Sequence, residues 1–389
     1  MALRAGGNTR GNRWAILAEG ALGVETSKTA ACAVRYAPGR VASIIDSRFD
    51  GSTAESTLGF GGDIPVAGSL VAALEQAVGG VPDSLLIGVA PQGGALPDSW
   101  RPVLVQALQA GLDIVSGLHS FLGDDEELAG LARREGRRLI DLRRPPDDLV
   151  VGAGRVREAG AFRVLTVGTD CNSGKMTTAI ELRRDLEKAG VRTAFAATGQ
   201  TGILLTGSGI AVDAVASDFI AGAAEAVTLA AARTLEVAPA GSNGPGVVLV
   251  EGQGSLLHPG YSGVTLGLMH GSMPHAMIMT WIPSRRTIYG GNHGWVRIPR
   301  LDRVVQLYED ALSWICPDVE GRVIGVSVST WDLSPAEARA AVDRAADETG
   351  LPATDPVRYG TEPLVAAVVR AVDSHVAAGG SRGGRGFAA

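Results

Sequence analysis

Cysteine is scarce. Cys32, Cys171 and Cys316 are the three in 389 residues, odd in number and far apart. They support neither a disulfide framework nor a zinc site, so the expected compartment is a reducing cytoplasm. Aromatics make up only 5% of the chain, and no basic stripe stands out against a net charge of −6. That balance argues against nucleic acid as the partner. Apolar runs long enough to span a bilayer are missing, so no membrane association is expected. Residues 1–13 lack an apolar core and do not read as a secretory signal. No internal repeat is present.

What the chain has is glycine, 53 residues of it, within a 46% hydrophobic composition. Much of that glycine stands in turns after strand-like runs, as in an α/β enzyme with tight loops. The length suits two or three domains, each with its own core. Apolar runs of strand length alternate with longer amphipathic segments, which predicts parallel sheets. The first series places strands at 14–19, 41–46, 84–89, 113–116 and 138–142, with helices opening at 27–33 and spanning 67–78 and 102–110. It predicts a Rossmann-like open parallel sheet over residues 1–148. The run Arg143-Arg144-Pro145-Pro146-Asp147-Asp148 is charged and proline-rich, and is the best candidate for the linker. The second series places strands at 162–167, 192–197, 246–251, 276–282 and 323–329, with helices at 218–232 and 334–348. It predicts a doubly wound parallel sheet over 149–378, of the P-loop NTPase type by the loop that follows its first strand, and then a flexible tail at 379–389.

The strand at 162–167 runs into Gly168-Thr169-Asp170-Cys171-Asn172-Ser173-Gly174-Lys175, and a helix follows from Met176 and Thr177. Glycines let backbone N–H groups converge on a phosphate, and the helix N-terminus adds partial positive charge. Lys175 neutralises a second phosphate. Five residues separate Gly168 from Gly174, where the usual loop has four and places Ser or Thr after the lysine. Met176 occupies that place, so the hydroxyl that holds Mg²⁺ is missing. The apolar strand 247–250 ends in Glu251-Gly252-Gln253-Gly254. Its carboxylate is a candidate for Mg²⁺ or for a substrate amine; the alternative is an acid that merely ends a strand.

These residues resemble the dethiobiotin synthetase and cobyrinic acid amidase group of P-loop proteins. The chain is more closely similar to a family once catalogued only as a domain of unknown function, which joins a Rossmann-like domain to such a P-loop domain. The likeness rests on Gly168–Cys171 with Gly174–Thr178, Thr198–Gly202, Val212–Val215 with Ser217–Phe219, and Glu251–Leu256, and it covers nearly the whole chain. One branch of that family is assigned D-glutamate N-acetyltransferase activity. The resemblance therefore implies acetyl transfer from acetyl-CoA to the amine of an acidic amino acid, with the loop 168–177 on the CoA pyrophosphate. Such chemistry needs no Mg²⁺-assisted phosphoryl step, which fits Met176. The rival is an ATP- and Mg²⁺-dependent carboxylate–amine ligase or kinase like dethiobiotin synthetase, with Glu251 and Asp213 or Asp218 on the metal.

Further candidates lie near these motifs. Gln200, Thr201 and Gly202 follow a strand and offer hydrogen bonds to a small-molecule amino-acid substrate. Asp213 and Asp218 are carboxylates for an amine or Mg²⁺, although Asp218 also suits a helix cap. Acyl transfer to an amine calls for a general base, for which His258, His270 and His275 are candidates, each with a structural alternative. The run 270–275 reads as a tight loop in the crevice. Arg285 or Arg286 suits a substrate carboxylate, or else a solvated surface. Cys171 is either a nucleophile or a small packing residue. The catalytic set drawn from these is Lys175, Glu251, His258 and Asp218. A homo-oligomer is expected from size and class.

Overall fold

The computed structural model describes residues 12–89, 91, 94–236, 245–290, 292–315 and 321–379. Cys316, the tail from residue 380 on and the N-terminal residues 1–11 lie outside them. The chain divides into two compact units. One holds 12–146 together with 199–214, and the other holds 147–198 and 215–379. The linear division drawn at residue 148 thus has an exception, since 199–214 leaves the second stretch to pack with the first.

The first unit is a seven-stranded sheet. Its strands are β1 (Trp14–Leu17), β2 (Val41–Ile45), β3 (Ser52–Thr53), β4 (Pro65–Ala67), β5 (Ser84–Ile87), β6 (Asp113–Ser116) and β7 (Leu139–Asp141). They lie in the order β3-β4-β2-β1-β5-β6-β7. All pairings are parallel except the short edge pair β3–β4. With β3 set aside, the order is that of the doubly wound dinucleotide-binding sheet. β1, β2 and β5 are buried along their whole length, which is why they read as mainly apolar runs without alternation. One helix expectation is corrected here. The segment 67–78 begins with the end of β4, and the helix is only Leu70–Glu75. Ser69 sets its start, because its hydroxyl accepts the Ala72 N–H at 3.2 Å.

The second unit is a six-stranded, all-parallel sheet. Its strands are β8 (Phe162–Gly168), β9 (Thr193–Ala196), β10 (Val247–Val250), β11 (Ala276–Trp281), β12 (Arg322–Val328) and β13 (Ala353–Thr354), in the order β13-β12-β11-β8-β10-β9. β8 is central and buried throughout. Phe162, Val164, Val247, Leu249 and Ile278 pack with Leu182 and Leu186 of the helix Lys175–Lys188 and with Leu364 and Val368 of the helix Glu362–Ala377. Each such side chain contributes about 1.5–3 kcal/mol on burial. The helix Pro335–Thr349 is closed at its start by a capping box between Ser334 and Glu337 and at its end by Gly350 at φ 67°. Among the described residues, no helix is long and apolar enough to cross a membrane.

Candidate functional site

β8 delivers the chain to a tight turn at the end of the sheet where parallel strands finish, the usual ligand edge of such sheets. A Cβ on Gly168 would stand 2.5 Å from both Ser173 Oγ and Thr280 Oγ1, so only glycine lets the loop close here. Asn172 at φ 50° and Gly174 at φ 96° turn the backbone left-handed before the helix Lys175–Lys188 begins. Thr280 holds the loop from β11, as its carbonyl accepts the Thr169 N–H at 3.0 Å and its hydroxyl meets Ser173 Oγ at 2.6 Å. The result is a phosphate-type loop locked from the neighbouring strand.

Lys175 is buried at 5% exposure, and its ammonium donates to Asp170 O at 2.7 Å and to Ser173 Oγ at 3.2 Å. It spans the loop mouth, where an anion would compete for the same protons. Met176 is 1% exposed and packs inward, while Thr177 is half-buried. The Thr178 hydroxyl is taken up with Ser327 Oγ at 2.7 Å. Gly252 approaches β8 so closely that a Cβ would overlap Thr166 O at 1.6 Å. Its N–H donates to Thr166 Oγ1 at 2.9 Å. Glu251 is buried, and its carboxylate accepts the Thr198 N–H at 3.1 Å.

Asp170 is fully buried inside the loop. One carboxylate oxygen accepts the Cys171 N–H at 2.7 Å; the other accepts the Tyr289 N–H at 2.9 Å and Arg285 Nη1 at 3.3 Å. Arg285 Nη1 also donates to Cys171 O at 2.8 Å. Arg285, read from the sequence as a carboxylate holder or a surface residue, is thus only 11% exposed and bound into the phosphate loop itself. His258 is buried at 2% exposure beside Tyr261 and His293. Burial, and then the nearby His293 and Lys175 charges, push its pKa below the usual imidazole value against the pull of Asp170. Its Nδ1 accepts the Gly260 N–H at 3.1 Å, so the neutral ring carries its proton on Nε2.

Among the described residues, Asp170, Cys171 and His258 form the one group able to offer three metal-ligating atoms, within 4.8 Å of one another. The group is already committed elsewhere, with Asp170 serving three donors and His258 Nδ1 serving an amide.

Several of the sequence candidates belong to the first unit. Gln200, Thr201 and Gly202 open a helix, Gln200–Thr206, that packs with the first unit. There Thr201 meets Thr29 at 3.2 Å, and Gln200 lies against Gly117, where a Cβ would stand 2.7 Å from its Cγ. Asp213 belongs to that unit too, ion-paired to the buried Arg143 with His119 Nε2 at 3.9 Å. Glu251 and Asp213, paired in the sequence reading as metal ligands, therefore belong to different units. Asp218 is exposed in the turn Ser217–Phe219 ahead of the helix Ile220–Glu236.

The crevice loop expected at 270–275 is corrected. His270 sits in the last turn of the helix Ser262–Ser272, and His275 immediately precedes β11, at the edge where the strands begin, opposite the phosphate loop. Burial lowers the pKa of His270. The residue that the sequence reading missed is Tyr308. It is fully buried on the helix Leu301–Ser313 and donates its hydroxyl proton to Gly168 O at 2.7 Å.

A Rossmann-like unit joined to a unit with a lysine-bearing phosphate loop defines an α/β protein of the P-loop class. The P-loop domain described as Domain of unknown function (DUF1611_C) matches residues 150–365, and its DUF1611_N Rossmann-like partner matches 47–145. The chain belongs to the DUF1611 family. It is 37% identical over 283 residues to a D-glutamate N-acetyltransferase of Pseudoalteromonas sp, covering 73% of this chain and 80% of the relative. A D-glutamate N-acetyltransferase of Tritonibacter scottomollicae is 39% identical over 300 residues, with 76% and 84% covered. A crystal structure of a DUF1611 family protein from Anabaena variabilis is similar at a TM-score of 0.83 and 38% identity, over 92% of this chain and 99% of that one. The chain is an enzyme of the acyltransferase class, with an N-acetyltransferase role.

Proposed function

We propose that this enzyme moves the acetyl group of acetyl-CoA to the amine of D-glutamate, with the loop 168–177 gripping the diphosphate of CoA. The observation that carries the reading is a phosphate loop that keeps its buried lysine but has Met176, 1% exposed, where a Mg²⁺-holding hydroxyl would stand. Such a loop retains anion binding and lacks a part that phosphoryl transfer uses. Both curated relatives named above support the amino-acid substrate.

In this reading Lys175, the loop amides and His258 Nε2–H supply donors to the diphosphate. The pantetheine arm separates that diphosphate from the thioester. Groups gathered round the loop, His258 and Cys171 included, therefore act on phosphate and not on the acyl carbon. Attack by the amine on the thioester forms the amide and releases the CoA thiolate. The amine must lose its proton to a base on the way.

The test is an end-point assay in EDTA with acetyl-CoA and D-glutamate, L-glutamate or D-aspartate as acceptor. The expected result is thiol release matched by N-acetyl-D-glutamate. In a parallel assay with ATP and Mg²⁺ in place of EDTA, ADP release with no thiol released from acetyl-CoA in either assay would reject the reading in favour of a ligase or kinase.

A further inference from the structure

The chain leaving β11 turns back on itself after Arg285. Thr287 and Arg297 form an antiparallel bridge, Ile288 N–H donates to Val296 O at 3.0 Å and Ile298 N–H to Arg286 O at 3.0 Å. This hairpin is fastened to the phosphate loop by the Tyr289 N–H on Asp170 at 2.9 Å and by Arg285 on Cys171 O at 2.8 Å. Residues 285–300 contain four arginines and no carboxylate, in a chain whose net charge is −6. Arg286 and Arg297 are exposed.

The hairpin also holds exposed aromatic side chains in a chain poor in them. Tyr289 is 58% exposed and Trp295 is 74% exposed. The Tyr289 ring has the Arg285 guanidinium 4.6 Å from its centroid, and Arg285 is itself nearly buried. One face of the ring thus rests on a fixed cation, and its exposure lies on the other side. A planar base can stack on a face backed in this way, and the cation behind adds to the attraction. Thr287 and Arg297, directly opposed as bridge partners, lie on one face, and Tyr289 follows Thr287 by two residues.

Position, charge and stacking surface converge on one ligand class. We propose that this hairpin is the subsite for the 3′-phosphoadenosine end of the CoA ester, with adenine on the outer face of Tyr289 and the 3′-phosphate on Arg297. This deepens the acetyl-CoA reading and rests on the loop 168–177 holding the adjoining diphosphate. It makes the hairpin the element that separates CoA from nucleotides without a 3′-phosphate. An arginine suits that task because its planar fork matches phosphate oxygens.

The test uses calorimetric titration of the full chain with adenosine 3′,5′-bisphosphate and with AMP. Wild type is expected to bind the bisphosphate roughly tenfold more tightly than AMP, since one charged hydrogen-bonded contact distinguishes them. Tyr289→Ala is expected to weaken both probes by on the order of tenfold, as loss of one stacked base does, while Tyr289→Phe stays near wild type. Arg297→Ala is expected to erase the preference between the probes. Equal wild-type affinity for the two probes, or wild-type binding by Tyr289→Ala, overturns the subsite. Turnover is measured separately with acetyl-CoA and acetyl-3′-dephospho-CoA, which keeps the diphosphate and adenosine and lacks only the 3′-phosphate. Bisphosphate binding in the expected pattern without acetyl-CoA turnover removes the reaction and leaves the subsite. Turnover with equal KM for both donors removes the subsite and leaves the reaction.

Discussion

The Tyr308 hydroxyl donates to Gly168 O at 2.7 Å and accepts the Leu256 N–H at 3.1 Å. One buried phenol thereby ties the first residue of the phosphate loop to the segment after Glu251. Burial holds its pKa above the ordinary tyrosine value, so it stays a neutral donor at physiological pH. Tyr308→Phe would strand a carbonyl and an amide in a site with no exposure. The expected cost is about 1–3 kcal/mol. Urea denaturation should show a lower midpoint with an unchanged slope. Because Gly168 opens the loop, KM for acetyl-CoA should rise while kcat is held. A variant with wild-type midpoint and KM would show that the tie does not matter.

Lys175 gives a sharper readout of the loop. Its ammonium already makes two hydrogen bonds across the mouth, to Asp170 O and Ser173 Oγ. Exchange of those partners for a diphosphate converts neutral acceptors into charged ones, worth about 1.5–3 kcal/mol. Lys175→Ala should weaken acetyl-CoA by roughly 10- to 100-fold in titration. An unchanged affinity would mean that the diphosphate binds elsewhere.

The parts of this architecture that the sequence reveals are those with strong local periods. β8, β10 and β11 are buried over their full length and appear as mainly apolar runs, broken only by Arg163 and Thr166 in β8 and Thr280 in β11. The loop after β8 is legible because Gly, Lys and a helix follow a strand in order. β3 and β13 have two residues each, too few for any period to register. The helix Leu301–Ser313 has a readable pattern, with Leu301, Val304, Tyr308 and Leu312 on its buried face, yet nothing in that pattern tells that the hydroxyl on position 308 meets Gly168. Long-range placement is the common obstacle. Gln200, Thr201 and Asp213 follow β9 of the second unit along the chain but pack with the first. No local signal marks such a return. Arg285 is similar, since two adjacent arginines after a strand look like a solvated pair until Asp170 is known to lie beneath one of them.

A last consequence concerns acid stability, at the end of the sheet away from the phosphate loop. The rings of His275, Phe162 and His375 form a cluster, with His275 4.9 Å from Phe162 and 4.4 Å from His375, and Phe162 5.4 Å from His375. His275 Nδ1 accepts the Arg163 N–H at 3.0 Å, and the buried Arg163 guanidinium donates to Ser272 O and Met273 O. Burial first, then the Arg163 and His375 charges, holds its pKa down at about 2. An unfolded chain would protonate the same ring near 6.5. Between those values the unfolded state binds the extra proton, so stability is complete above about pH 6.5 and falls as the pH is lowered. One such group removes about 1.4 kcal/mol for each pH unit below 6.5. The melting temperature should therefore drop steadily from pH 6.5 to 4.5. His275→Asn keeps an acceptor for the Arg163 amide and has nothing to titrate. Its melting temperature should vary less with pH over that window, even where its stability at pH 8 is below wild type. Parallel pH profiles for the two proteins would show that His275 is not the group responsible.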